Sequence, residues 1–496
     1  MPAYASATAE AAFAASAARF DGLVAWLAGD QAAGITHGEL EERLHTEGLG
    51  LLRQLLQDSL DLRAVREQRL GEVIDAEGLR RGVAEGGHGR GLATRFGQVT
   101  VTRIAYRARG LSNLHPADAG LNLPVEKHSH GLRRLAAIEA ARGSFADAAT
   151  AIERATGVRL GRRQAEQLTA RAATDVDAFY AAHAADTAPN AVLVLSFDGK
   201  GVVMRPDGLR DATAKAATSQ KLSTRLSKGE KRNRKRMAEV AAVYDLTPVR
   251  RTIADILPWD PQHQPNPAPT AAGKWLTASV SHDAATVIAA GFAEATRRDP
   301  DHQRTWVALV DGNTHQIDRI HAEARARGVH VAVVVDFIHV LEYVWKAAWC
   351  FHPEGDPNAE QWVRTQARQI LSCRAGIVAA AIRRKATYHG LDPGARRTAD
   401  TAADYLLAKK SYLDYPTALA NGWPIATGVI EGACRHLVKD RMDITGARWG
   451  LAGAEAILKL RALISNGDFD RYWTWHLTQE QQRIHTSRYL NSAIPQ

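Results

Sequence analysis

The sequence lacks the features that would assign it to a membrane or to the secretory pathway. None of its apolar runs approaches the ~20 residues that a membrane helix needs, and its Ala-rich N-terminus has no basic stretch like that of a signal peptide. Its three cysteines, Cys350, Cys373 and Cys434, are an odd number without paired spacing, which argues against a disulfide framework and a CxxC zinc site. We therefore expect a cytoplasmic protein.

Size and composition are ordinary for a globular protein. At 496 residues the chain is too long for one hydrophobic core, so we expect two to four domains. The apolar share of 45% and the charged share of 24% lie in the usual range. The net charge of +9 is more informative because of where the charges lie.

Most of the excess positive charge lies between residues 221 and 236. This run has one acid, Glu230, and eight basic residues: Lys221, Arg225, Lys228, Lys231, Arg232, Arg234, Lys235 and Arg236. A run with almost no apolar residues cannot form a core, so we expect a mobile arm or hairpin tip that contacts a polyanion. The alternative is a charged loop that is merely solvated.

Three short apolar runs each end on an aspartate. Residues 192–197, 306–310 and 331–335 are followed by Asp198, Asp311 and Asp336. Such uninterrupted β-prone runs are typical of strands buried on both faces, and the ends of such strands converge at one edge of a helix-covered sheet. Clustered carboxylates repel one another unless a hard cation such as Mg²⁺ or Mn²⁺ neutralises them. For Asp198-Gly199 and Asp311-Gly312, the alternative is a turn that simply closes a strand.

The N-terminal third combines helices with a small β element. Thr36-His-Gly-Glu39 has the form of a capping box, and leucines follow it at helical spacing, which indicates packing or self-association. We expect the glycine cluster at 86–91 to be a flexible connection, and the alternating residues 96–106 to form a strand or hairpin.

Residues 145–168 have the pattern of a helix-turn-helix. An apolar face at 145–152 is broken at Thr156-Gly157, and a second helix restarts at Leu160. Arg162, Arg163 and Gln164 would then lie near the N-terminus of a DNA recognition helix. Helical hairpins that bind nothing have the same pattern, so this alternative stays open.

Residues 340 to about 420 are helical in pattern, and a further helix from about 426 carries Glu431. Glu431 and Arg435 lie one turn apart on its polar face, so a surface ion pair is the simplest alternative to a functional role. Between the strands, five prolines from Pro258 to Pro269 predict a loop.

Asp198, Asp311 and then Glu431 after a helical insertion resemble the DDE arrangement of RNase H-like transposases. The motif Asp336-Phe-Ile-His339, which begins 25 residues after Asp311, resembles the Asp-x2-His signature of Mutator-like elements. Local stretches at 121–124, 129–134, 196–202 and 336–345 are similar to the ISKra-type family of bacterial insertion-sequence transposases. The likeness extends from about residue 90 to 470, and all three acidic positions match.

The resemblance implies an α/β fold in which an RNase H-like mixed-sheet core is interrupted by an all-helical insertion and preceded by helical and small β domains. The expected regions are a helical N-terminal region (1–85), a β element (86–128), a helix-turn-helix-like DNA-binding region (129–185), the core (190–339 and 424–465), the insertion (340–423) and a C-terminal tail (466–496). The Asp311 strand should neighbour the Asp198 strand, with the Asp336 strand one position further out.

The resemblance also implies two-metal phosphoryl transfer with two Mg²⁺ or Mn²⁺ ions. Asp198 would bridge both ions, Asp311 would bind one and Glu431 the other, while Asp336 and His339 would orient a ligand or touch the scissile region. His339 has the alternative of a packing role. Candidate DNA contacts near Glu431 are Arg435, Lys439, Arg441, Arg448 and Trp449, with a core position as the alternative for Trp449.

The function expected from these residues is a DNA transposase that cleaves and joins DNA at the ends of its own element. Its partners would be double-stranded DNA, terminal inverted repeats and target DNA, bound by a homodimer or higher oligomer at the nucleoid. Two alternatives remain: an RNase H-like nuclease or resolvase without strand transfer, and a non-catalytic DNA-binding protein derived from a transposase.

Overall fold

The protein divides into two compact units in a computed structural model that describes residues 9–183, 188, 191–219 and 234–495. Unit 1 comprises Met1–Phe179 and Asp468–Gln496, and unit 2 comprises Tyr180–Gly467. In these described stretches, no helix is both long and apolar enough to cross a membrane.

The elements up to residue 183 are mostly helical. In chain order they are α1 (Ala9–Ala12), α2 (Ala14–Leu27), α3 (Asp30–Ala33), α4 (His37–Arg66), β1 (Val83–Thr94), β2 (Gly97–Arg107), α5 (Pro116–Gly120), α6 (His130–Arg142), α7 (Phe145–Thr156), α8 (Arg162–Ala172) and α9 (Val176–Ala182).

From residue 191 onward, strands and helices alternate before a long helical series. The elements are β3 (Val192–Val203), α10 (Asp211–Ser219), β4 (Lys235–Leu246), α11 (Ile253–Ile256), β5 (Ala271–Ser279), α12 (Ala284–Arg298), β6 (Trp306–Val310), α13 (Thr314–Arg327), β7 (Val331–Val335), α14 (Phe337–Ala348), α15 (Pro357–Leu371), α16 (Ala375–Tyr388), α17 (Pro393–Ala408), α18 (Tyr415–Ala420), α19 (Gly428–Ala433), a π-helical segment (Cys434–Lys439), α20 (Asp440–Met442), α21 (Leu451–Asn466) and α22 (Phe469–Ile484).

Unit 1 contains the capping box and the helical hairpin that the sequence predicts. The Thr36 side chain accepts a hydrogen bond from Glu39 N, and the Glu39 carboxylate accepts one from Thr36 N in return, at the start of α4. Helices α7 and α8 are separated by Gly157, which has a φ of +68° and caps α7. Ile152 and Leu168 from this hairpin are buried against Leu132 of α6, so three helices share one core.

The predicted flexible connection at residues 86–91 is wrong, because these residues form part of β1. Gly89 pairs with Thr102 of β2, and Gly91 pairs with Thr100. A register shift between Glu85 and His88 takes up the irregularity. The glycines weaken the strand signal in the sequence, but β2 supplies the hydrogen bonds that hold this glycine-rich strand.

Unit 2 is built around a five-stranded mixed sheet with the order β5-β4-β3-β6-β7. The β3–β4 and β4–β5 pairs are antiparallel, whereas the β3–β6 and β6–β7 pairs are parallel. The order predicted for the three aspartate-bearing strands is therefore confirmed. Residues 192–197 are buried, as expected for a central strand with helices on both faces.

The strand predictions differ from the structure in two respects. Strand β3 does not end at Asp198 but continues to Val203, where it pairs with Lys235 of β4. Strands β4 and β5 were not predicted at all, because β4 begins inside the basic run and β5 begins in Ala-Ala-Gly-Lys, so neither starts with the apolar signal of a buried strand. Both gain their order from pairing with β3 or with each other.

The helical insertion follows β7 directly. Helices α14 to α18 occupy residues 337–420, close to the predicted range of 340–423. Between α11 and β5, where the prolines predicted a loop, the structure has no regular element.

The predicted C-terminal tail contains the 16-residue helix α22, which belongs to unit 1. Glu480 of α22 is 5% exposed and accepts hydrogen bonds from both terminal nitrogens of the fully buried Arg133 of α6, one at 2.7 Å. This buried pair ties the two ends of the unit 1 sequence together.

Glu480→Ala should destabilise unit 1 by about 3–5 kcal/mol, because it leaves Arg133 buried without its closest counterion. The matched control is Asp470→Ala on the same helix, since Asp470 is 81% exposed and pairs with Arg134; this change should cost at most about 1 kcal/mol. Urea unfolding followed by circular dichroism measures both losses. Equal losses for the two variants would contradict the assignment.

Candidate active site

The register of the parallel strands brings three aspartates to the same level at one edge of the sheet. Ser196 pairs with Leu309, so Asp198 and Asp311, each two residues later, lie side by side. Val310 pairs with Val335, so Asp311 and Asp336 are adjacent in the same way. Neighbouring strands are about 4.8 Å apart, which places the three in a row with Asp311 in the middle.

Asp198 is half-buried and contacts the helix that carries Glu431. Its carboxylate accepts a hydrogen bond from Gly199 N at 2.6 Å, and the thiol of Cys434 lies near it. Burial raises the pKa of the Cys434 thiol, and the neighbouring Asp198 raises it further, so the thiol stays protonated. Cys434 was not among the predicted site residues.

Asp311 lies in the tight turn between β6 and α13. Its Oδ1 accepts a hydrogen bond from Asn313 N at 2.8 Å, and Gly312 has a φ of +93°, a conformation that only glycine adopts easily. The main-chain oxygen of Asp311 accepts a hydrogen bond from the hydroxyl of Tyr405 at 2.9 Å. Burial raises the pKa of the Tyr405 hydroxyl, with Tyr343 and Asp311 adding to the effect.

Asp336 is a buried helix cap. It is 1% exposed, and its Oδ1 accepts from Ile338 N at 2.7 Å at the start of α14. Its Oδ2 accepts from Thr427 N at 3.2 Å and from the Thr427 hydroxyl. Because both oxygens are engaged away from solvent, Asp336 supports the site rather than offering itself as a metal ligand.

Glu431 lies on a helix face that is anchored above both outer aspartates. Thr427, Glu431 and Cys434 are spaced at i, i+4 and i+7, so they share one face. Thr427 contacts Asp336 and also lies 3.2 Å from Glu431 Oε1, while Cys434 contacts Asp198. Glu431 is therefore linked through Thr427 to Asp336, on a helix that packs against β3.

The alternative of an ion pair between Glu431 and Arg435 is not realised: both side chains are described and exposed, and no ion pair joins them. None of Asp198, Asp311 and Glu431 pairs with any Lys or Arg among the described residues. A row of carboxylates without a neutralising side chain has the donor chemistry that fits hard divalent cations. In the described part of the chain, however, no three His, Cys, Asp or Glu side chains are already close enough together to hold a metal ion.

The helix that carries Glu431 changes from α-helical to π-helical hydrogen bonding after Ala433. Residues Cys434–Lys439 form a π-helix, whose wider turn moves the later residues around the helix axis. Arg461 of α21 binds two carbonyls of this segment, donating from Nε to Leu437 O at 2.9 Å and from Nη2 to His436 O. The π-helix is thus stabilised from outside.

Two of the residues predicted to contact DNA beyond Glu431 are buried. Arg441 is 2% exposed, and its guanidinium lies 4.7 Å from the centre of the Trp449 ring. Trp449 is 6% exposed and donates its indole N–H to Met442 O at 3.0 Å, so it is a core residue. The core position of Trp449 is the alternative that the sequence left open, and its backbone pairs with Met204 in an isolated β-bridge.

The remaining basic candidates near Glu431 are accessible. Arg435, Lys439 and Arg448 are exposed. Arg435 and Lys439 follow Glu431 at intervals of four residues, on the outward side of the same helical segment.

His339 packs against aromatic side chains. Its ring centre is 5.6 Å from that of Tyr343 and 6.1 Å from that of Tyr405, and its Nδ1 is 3.7 Å from a Glu342 oxygen. The packing alternative for His339 is therefore realised, and the residue it packs on is the tyrosine that binds the Asp311 turn.

A cavity of about 440 Å³ adjoins the aspartate row and contains residues that the sequence did not identify. Asp198 and Asp311 line it together with Arg210, Glu239, Asp283 and His315. Burial raises the pKa of Glu239, and the nearby Asp198 adds to this effect. Glu239 could not be found from sequence because its strand, β4, was not recognised.

The basic run precedes β4, and the prediction of a mobile arm or hairpin tip falls mostly on residues outside the described ones. Lys221, Arg225, Lys228, Lys231 and Arg232 lie outside the described residues. Lys235 is exposed at the start of β4, next to Arg234. Arg236 binds main-chain oxygens within unit 2, among them Val280 O at 2.5 Å and Gly208 O at 3.2 Å, so its guanidinium is already engaged.

The predicted recognition residues lie on the surface of unit 1. Arg162, Arg163 and Gln164 are exposed in the first turn of α8. Gln164 Oε1 also accepts a hydrogen bond from Gly161 N at 3.0 Å and so caps the helix. The two arginines remain free to project from a helix N-terminus, the end that enters the major groove in helix-turn-helix proteins.

Thr427→Val should destabilise unit 2 by about 1–3 kcal/mol, because it removes the hydroxyl that satisfies the buried Asp336 carboxylate. Thr427→Ser, which keeps the hydroxyl, is the matched control and should lose much less. Differential scanning calorimetry measures both changes. If the serine variant loses as much stability as the valine variant, the hydroxyl is not the stabilising group.

A scan against protein-family models and a search of curated proteins each found no match to this chain. The function proposed below therefore rests on the residues of the chain, on their resemblance to known motifs and on their placement at the sheet edge.

Proposed function

We propose that this protein is a metal-dependent DNA transposase of the DDE type, with Asp198, Asp311 and Glu431 as its catalytic carboxylates. The observation that carries the proposal is the row formed by Asp198 and Asp311, with Glu431 held above it by Thr427 and Cys434. Asp198 and Asp311 come from distant parts of the sequence to one edge of the sheet, Glu431 lies on a helix packed against the same sheet, and no Lys or Arg among the described residues forms an ion pair with any of the three.

The strand arrangement supports an RNase H-like core. In unit 2, three antiparallel strands are followed by two that run parallel to the central β3, and the first acidic residue lies on β3 itself. The second acid follows the neighbouring parallel strand, and the third lies on a helix packed against β3 after a helical insertion. This is the order in which the DDE resemblance requires them.

Divalent ions bound at such a site activate a water or a DNA 3′-hydroxyl and stabilise the leaving oxygen at phosphorus. In this chain, Asp198 and Asp311 are fixed by the sheet register, and each has one oxygen oriented by a main-chain N–H. Glu431 is the exposed member of the set. Asp198, Asp311 and Glu431 would hold the Mg²⁺ or Mn²⁺ ions, with Asp198 as the ligand that the two ions would share.

DNA binding is assigned to three surfaces. Arg162, Arg163 and Gln164 of α8 would read bases at the element ends. The basic run that begins at Lys221 and ends at Arg234 and Lys235, between β3 and β4, would contact phosphates, as would Arg435, Lys439 and Arg448. The protein would act on its terminal repeats and on target DNA as a homodimer or higher oligomer.

The alternative function is an RNase H-like nuclease or resolvase, which would share the three carboxylates but would not carry out strand transfer.

The test of the proposal is Asp198→Asn, Asp311→Asn and Glu431→Gln, each of which should abolish Mg²⁺-dependent cleavage of DNA carrying the element ends. Each change removes a metal-binding charge and leaves the DNA-binding surfaces intact. Cleavage assays, with end binding measured by electrophoretic mobility shift, check the two effects separately. Wild-type protein that cuts the ends but never joins them to target DNA would favour the nuclease alternative.

Asp336→Asn serves as the matched control. Because Asp336 caps α14 and binds Thr427, its loss should slow cleavage by roughly 10- to 100-fold and leave metal binding measurable. If Asp336→Asn lost the metal while Asp311→Asn kept it, the second ligand would be Asp336 instead.

Altering Arg162, Arg163 and Gln164 together should reduce the preference for terminal repeats over random DNA, because base contacts carry sequence discrimination. Competition binding with both DNAs measures the ratio. The control is Glu166→Gln, a change on the same helix that introduces no basic side chain; it should leave the preference for terminal repeats unchanged. Equal loss of affinity for both DNAs would contradict base readout by α8.

A further inference from the structure

The helical insertion contacts the turn that carries Asp311 at two points. Tyr405 of α17 donates its hydroxyl to Asp311 O at 2.9 Å. One helical turn later, Lys409 Nζ lies 2.6 Å from Thr314 Oγ1, in the first turn of α13. The insertion thus holds both ends of the short segment from Asp311 to Thr314.

Gly312 makes the first of these contacts unusually close. A Cβ placed on Gly312 would lie 2.5 Å from the Tyr405 hydroxyl oxygen and 3.2 Å from ring carbon Cζ. No larger residue fits there without movement of the tyrosine or of the turn. The φ of +93° at Gly312 separately requires glycine. The turn therefore accommodates Tyr405 closely.

Tyr405 is itself held rigidly. Its ring stacks on that of Tyr343 from α14, with centres 3.9 Å apart and planes 8° from parallel. His339 packs edge-on against both rings. The hydroxyl is thus presented to Asp311 by a cluster of three aromatic side chains from two helices of the insertion.

We propose that Tyr405 is a positioning residue for Asp311, so that the helical insertion sets the geometry of the metal site. The hydrogen bond fixes the Asp311 carbonyl, and the Asn313 N–H fixes its carboxylate, so the main chain and side chain of the ligand are both restrained. This inference rests on the proposed role of Asp311 as a metal ligand.

The test is the Mn²⁺ affinity of Tyr405→Phe, which keeps the stacked ring and removes only the hydroxyl. Loss of one hydrogen bond should weaken Mn²⁺ binding about 2- to 10-fold. Electron paramagnetic resonance of free Mn²⁺ measures affinity without any need for activity. A melting temperature unchanged from wild type separates positioning from a general loss of stability.

Tyr412→Phe is the matched control, because it also removes a tyrosine hydroxyl that joins the insertion to α13. The Tyr412 hydroxyl lies 3.3 Å from His321 Nε2, away from Asp311. Its Mn²⁺ affinity should equal that of wild type. If Tyr405→Phe binds Mn²⁺ as tightly as wild type, or if both variants weaken equally, the inference is overturned. Wild-type protein that binds no Mn²⁺ would instead overturn the proposed function.

A double-mutant cycle gives a second measurement. Gly312→Ala should weaken Mn²⁺ binding because its methyl group meets the Tyr405 hydroxyl, and Tyr405→Phe in the same chain relieves that contact. We therefore expect the double variant to lose less Mn²⁺ affinity than the sum of the losses in the two single variants. Strict additivity would mean that Gly312 and Tyr405 do not act together on Asp311.

Discussion

The site depends on one constraint: the repulsion among carboxylates that the parallel strands bring to the same level. Asp198, Asp311 and Asp336 end up in a row because β3, β6 and β7 are in register. The fold reduces this repulsion because each aspartate has different hydrogen-bond partners. Asp336 is a buried helix cap, Asp198 accepts a hydrogen bond from Gly199 N, and Asp311 accepts one from Asn313 N in its own turn. Only the last two remain with oxygens available to a cation.

The helix that carries Glu431 is placed by the same row. Thr427 at its start engages Asp336, and Cys434, two turns later, engages Asp198. A π-helix follows, with Arg461 bound to its carbonyls, and Arg441 and Trp449 beyond it are buried. One helical face thus couples the aspartates to each other, and the insertion adds a further tie through Tyr405.

Much of the fold follows from local sequence signals. The apolar runs before Asp198, Asp311 and Asp336, the helix break at Gly157 and the Thr36 capping box each depend on a few neighbouring residues, and each is realised. The strands that the sequence did not predict have one feature in common. Strands β4 and β5, and the glycine-rich part of β1, are held by hydrogen bonds to partner strands, and such pairing leaves little trace in the strand's own composition.

The sequence by itself determined which residues could serve as the proposed metal ligands. The acids that follow buried strands and the acid on a later helix can be identified from the order of residues alone. Tertiary structure decided which of them meet. Register selects Asp311 as the neighbour of Asp198, and burial removes Asp336, Arg441 and Trp449 from the accessible surface. Thr427, Cys434 and Tyr405 carry no signal in sequence, because a hydroxyl or thiol becomes a positioning group only when folding places it against a carboxylate or a carbonyl.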